Sequence, residues 1–195
     1  MNDDIKPVML HYAMIYLFDF FTRTWLKYGQ NWGHGIRLVS HPTDFAVRIE
    51  KSGIFPRAVD AFYFVDQSSL LSIDDNDGIE YFFHAAGTGT ISKKIKKIKY
   101  SKTPTIKLDH LIDVYDRLGA LSGRVSKSNC ILVGFVLLFV ISSISRYKAG
   151  AWFKIRENRD LKNKFELLQH DFLYEWIPEI LLQTVLKRQF EPPSR

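Results

Sequence analysis

Six histidines, one cysteine and a run of aspartates are the residues of this chain that could serve as acids, bases, nucleophiles or ligands. Their spacing decides which chemistry is open. Helical RNases of the HEPN class pair an Arg with a later His, with about four to six residues between them, joining charge stabilisation to acid–base work. None of His11, His34, His41, His84, His110 or His170 falls at that spacing, the nearest approach being Arg37 to His41 with three residues between. No His-Glu-x-x-His helix is present, and one cysteine, Cys130, excludes both a two-cysteine zinc site and a disulfide framework. Asp74-Asp75-Asn76-Asp77-Gly78 starts like a calcium loop, but Glu80 comes too soon to be the distal bidentate ligand, so a solvated turn is the better reading. Gly87-Thr88-Gly89-Thr90 lacks the Gly-Lys-Ser/Thr ending of a phosphate loop. Cys130 sits in an apolar run and reads as a buried structural thiol. No complete catalytic constellation, metal set or cofactor motif emerges, and the sequence leans away from an enzyme.

The most specific electrostatic signal is Lys93, Lys94, Lys96, Lys97, Lys99 and Lys102, six lysines within ten residues beside Tyr100. Such a cluster can neutralise several phosphates in a sequence-independent, salt-dependent way. A solvated helix face or a mobile loop is the favoured reading, and Ile91, Ile95 and Ile98 supply an apolar stripe at helical spacing for the helix. The net charge of +6 makes anionic partners reasonable without naming one.

The elements that must position these residues read mainly as helices. With 46% hydrophobic and 14% aromatic residues over 195 positions, the chain can build a dense core, which rules out general disorder. The acidic start, Asp3-Asp4, does not resemble a signal peptide, so a cytoplasmic, reducing compartment is expected. Ile5 to Tyr28 predicts a helix, with Pro7 in its first turn and apolar residues on nearly every face. Ser128 to Ser145 carries no charge, and its heart, Cys130 to Ile141, is apolar all round. That run dissolves into serines, and basic residues flank both ends, so a buried central helix is favoured over a membrane span. Leu108 to Leu121 predicts an amphipathic helix, Lys154 to Lys164 a charged connection, and Phe165 to Leu173 and Trp176 to Phe190 further helix. Phe45, Val47 and Ile49 alternate as in a strand, placing a small β hairpin or sheet near residues 44–65. Ser68 to Phe83 reads as a short helix, an acidic turn and a second short element. The expected fold is a single mainly α domain over residues 1–195, built around two apolar helices.

Three stretches and a later helix, taken in order, resemble the YaaC-like family of bacterial proteins. Pro7-Val8-Met9-Leu10-His11-Tyr12 is similar to that family's Pro-x-x-Leu-x-Tyr helix, and His34-Gly35-Ile36 to its His-Gly-aliphatic motif. Lys51-Ser52-Gly53-Ile54-Phe55-Pro56 resembles the turn that follows its strand. The run ending Arg146-Tyr147, with Trp152 after it, resembles its late helix. The resemblance singles out His34, Gly35, Arg146, Tyr147 and Trp152. Arg146 could satisfy carbonyls at the end of its helix or hold an anion near His34, and the former is favoured.

Family members carry several tens of residues before the Pro-x-x-Leu helix, and this chain starts almost on it, so the family's leader is expected to be missing. The resemblance therefore implies uncovered apolar area on that helix, to be covered by another polypeptide or a second copy at Met9, Tyr16, Phe20 and Trp25. The expected function is a non-catalytic subunit or binding module of a bacterial multi-protein system, such as a phage-defence accessory component. The alternative is a nucleic-acid-binding protein, or degenerate helical RNase relative, acting through Lys93 to Lys102.

Overall fold

A computed structural model of the chain describes residues 5–26, 33–40, 45–50, 52–66, 71–74, 80–83, 105–120, 124–173, 177 and 179–182. The fold is mainly α with a small antiparallel sheet. Helices run over Lys6–Leu26 (α1), Ile54–Asp66 (α2), Leu108–Ala120 (α3), Arg124–Tyr147 (α4), Ala149–Glu157 (α5) and Arg159–Leu173 (α6). Strands are Ile36–Ser40 (β1), Phe45–Ile49 (β2), Leu71–Asp74 (β3), Glu80–Phe83 (β4) and Thr105–Lys107 (β5). The chain divides into two compact units, one formed by Met1–Gly29 with Leu138–Arg195, the other by Gln30–Leu137.

In the Gln30–Leu137 unit, β1, β2 and β5 form an antiparallel sheet in that order. Its register sets Arg37 opposite Arg48, a like-charge pair that costs stability. Glu50 offsets it, its Oε1 lying 3.3 Å from Arg37 Nε. The hairpin of β1 and β2 starts before residue 44, and the segment after Gly53 is not strand but helix α2. The physical reason lies in two separate places. Ile54, Phe55, Ala58, Val59, Ala61 and Phe62 are all buried and recur at helical spacing. The first amides of α2 are also capped by a distant loop: Ile54 N donates to Gly33 O (3.1 Å) and Phe55 N to His34 O (3.0 Å). Pro56 has no amide proton to satisfy, and Arg57 N closes the first turn onto Gly53 O.

A strand, not a short helix, also occupies Leu71–Asp74. It pairs antiparallel with β4, setting Leu71 opposite Phe83 and Ile73 opposite Tyr81, the branched–aromatic pairing that sheets favour. Helix α3 buries Leu108, Leu111, Ile112, Val114 and Tyr115 and exposes Asp109, Asp113 and Asp116. Within the same unit, Phe135 of α4 stacks on Phe55 at 5.8 Å, both fully buried. Cys130 is buried, and its thiol donates to Tyr115 O at 3.6 Å.

Helix α4 is buried continuously from Ser128 to Ile144. Among the described residues it is the one helix long and apolar enough to cross a membrane, and 94% of its apolar window lies inside the protein.

In the other unit, the segment from Lys154 to Lys164 is helical instead of a connection, broken only at Asn158. Asn158 Oδ1 accepts from the amides of Asp160 (3.1 Å) and Leu161 (3.2 Å), the geometry of an N-cap that starts α6. Trp152 and Ile155 anchor α5 by burial, and Phe165 and Leu168 do the same for α6.

Candidate partner-binding face

Helix α1 is two-sided in a way its composition hides. Leu10, His11, Met14, Phe18 and Phe21 fall on one face and are buried, at the spacing of an inward helical stripe. The His11 ring meets Phe139 of α4 edge-on, 5.5 Å between centroids. The opposite face is also apolar, yet Met9, Tyr12, Tyr16 and Phe20, with Ile5 just before the helix, are all exposed. Only half of this helix, apolar on nearly every face, is buried.

The exposed stripe is continued by the end of α4. Arg146 Nη1 donates to Tyr12 Oη over 3.2 Å, and Nε donates to Ser142 O over 3.1 Å. The guanidinium carbon also lies 5.7 Å from the centre of the Tyr12 ring and 5.0 Å from that of Tyr147. Two tyrosines and a helix carbonyl thus hold one arginine, with Tyr147 itself exposed. Tyr, Phe, Met and Arg are residue types enriched where proteins bind proteins, and the aromatic rings among them offer large area at small conformational cost.

Of the residues singled out by sequence, Met9, Tyr16 and Phe20 share this face. Trp25 lies on α1, but its side chain is outside the described residues. Arg146 and Tyr147 join the face, whereas Trp152 is buried. Tyr12 was not among the expected partner residues, although the helical spacing that groups Met9 with Tyr16 includes it.

His34 and Gly35 belong to the Gln30–Leu137 unit, where their geometry is that of a backbone junction. Gly35 has φ +73° and Gly53 φ +124°, both in the region glycine alone tolerates well. A Cβ on Gly53 would collide with the Gly35 backbone, and one on Gly35 with Pro56. Two glycines therefore let the loop before β1 cross the N-terminus of α2 backbone to backbone, which places the His34 carbonyl on the amide of Phe55.

Lys93, Lys94, Lys96, Lys97, Lys99 and Lys102 lie outside the described residues, as does the Gly87–Thr90 turn. Among the described residues no group of three or more His, Cys, Asp or Glu side chains could hold a metal ion. Comparison with protein-family models, with curated proteins and with solved structures finds no match to the chain.

Proposed function

We propose that this protein is a non-catalytic binding module, a cytoplasmic subunit of a bacterial multi-protein system that docks a polypeptide on the exposed face of α1. The observation that carries the reading is the stripe of Met9, Tyr12, Tyr16 and Phe20 standing exposed on a helix whose other face is buried. Large apolar side chains left in water cost free energy that a partner recovers, and contiguous patches above a few hundred Å2 are where partners bind. Arg146 supports it by fixing the Tyr12 ring before any partner arrives. A phage-defence accessory role is the specific form we propose, and it rests on the resemblance to YaaC-like proteins alone.

The test is purification of the tagged chain from its native host, comparing wild type with Phe20→Glu. The expected result is a stoichiometric complex, with another polypeptide or with itself, that the substitution dissolves while helical content is kept. Wild-type protein that purifies monomeric and alone, indistinguishable from the variant, overturns the proposal.

A further inference from the structure

We infer that the polypeptide seated on α1 is a second copy of the same chain, lying antiparallel, so that the protein is an isologous dimer. The inference rests on the binding reading above and commits it to one occupant.

The first argument is the order of the exposed residues. Ile5, Met9, Tyr12, Ala13, Tyr16 and Phe20 are separated by four, three, one, three and four residues, a spacing that reads the same in both directions. Laid antiparallel on its own image about the level between residues 12 and 13, the stripe matches itself. Ile5 comes level with Phe20 of the second copy, Met9 with its Tyr16, and Tyr12 with its Ala13. A two-fold interface requires such a self-complementary patch. At the axis the large Tyr12 meets the small Ala13, the large-to-small alternation that lets two helices approach closely.

The second argument is area. The stripe is exposed by 52% at Ile5, 53% at Met9, 41% at Tyr12, 73% at Tyr16 and 55% at Phe20. At roughly 150–250 Å2 per large side chain this leaves about 500 Å2 uncovered per copy. Two copies reach about 1,000 Å2, where specific interfaces begin.

Preorganisation adds to both: the Arg146 contacts already hold the Tyr12 ring at the axis, so less side-chain freedom is lost on association.

Sedimentation equilibrium of the full chain from micromolar to tens of micromolar tests the stoichiometry, and a short bismaleimide tests the register. Wild type is expected to form a dimer, and Tyr16→Glu to raise its dissociation constant by about tenfold or more with unchanged circular dichroism. Met9→Cys mixed with Tyr16→Cys is expected to cross-link efficiently, and each alone weakly, Cys130 being buried. Wild type that stays monomeric throughout overturns the inference, as does stronger cross-linking of Met9→Cys to itself, which marks parallel pairing. So does a monomer that cosediments with anionic phospholipid vesicles. The two readings separate in the native host. A monomeric chain whose complex with a different polypeptide is lost in Tyr16→Glu removes the second copy and leaves the binding module standing, whereas a monomer with no such complex removes both.

Discussion

Arg146 reaches across 134 positions of sequence to donate its Nη1 proton to the hydroxyl of Tyr12, 3.2 Å away, while its guanidinium lies against the rings of Tyr12 and Tyr147. One side chain thereby ties the first helix to the end of the fourth.

Because the tie combines a hydrogen bond with a cation–π contact, its parts can be separated by substitution. Tyr12→Phe keeps the ring and loses the acceptor, at an expected cost of about 0.5–1.5 kcal/mol. Arg146→Ala removes both contacts and the bond to Ser142 O, and is expected to cost more. A double-mutant cycle by urea unfolding should return a coupling of about 0.5–1 kcal/mol. Strictly additive effects would show that the pair contributes nothing beyond its separate contacts.

The glycine junction makes a comparative prediction. Gly33, Gly35 and Gly53 all have positive φ, but a Cβ on Gly33 meets open space while one on Gly53 meets backbone. Gly33→Ala should cost about 1 kcal/mol from backbone strain alone. Gly53→Ala should cost several times as much, because backbone atoms of Gly35 cannot move aside like a flexible side chain. Thermal melts of the two variants decide it, and equal losses would contradict the crossing.

Phe135 stacks on Phe55 with both rings fully buried. Phe135→Ala should therefore lower unfolding free energy by about 3–5 kcal/mol, from lost transfer energy and an unfilled cavity. Phe135→Leu, which refills part of the volume, should recover a large share. Denaturant titrations of both variants provide the measurement.

Asn158 starts α6 through its side-chain oxygen, so Asn158→Ala should cost about 1 kcal/mol and Asn158→Asp should be tolerated. Hydrogen exchange at the amides of Asp160 and Leu161 should rise in the alanine variant and stay near wild type in the aspartate one.

How much of this was legible beforehand follows from which forces are local. Helices α1, α3 and α4 announce themselves because their apolar residues repeat at helical spacing or run unbroken, and β2 because Phe45, Val47 and Ile49 alternate. Helix α2 was obscured since Gly53 and Pro56 resemble strand punctuation, and the groups that cap it, Gly33 O and His34 O, come from a loop well before it in sequence. Strand β3 is not legible in its own four residues, because pairing with β4 makes it a strand. At the candidate face, the grouping of Met9 with Tyr16 and Phe20 follows from helical periodicity alone. Which half of the apolar α1 would be buried depends on His11 meeting Phe139, and the Arg146–Tyr12 tie on α4 returning to α1. Neither is encoded locally.

The unit that contains α1 is discontinuous in sequence, its second part beginning at Leu138. At about 5–20 residues per second, synthesis of the intervening Gln30–Leu137 takes roughly 5–20 s, and for that time α1 has no Phe139 or Arg146 to pack against. Leu10, Met14, Phe18 and Phe21, buried in the folded protein, therefore wait in the nascent chain for the second part of their unit to emerge.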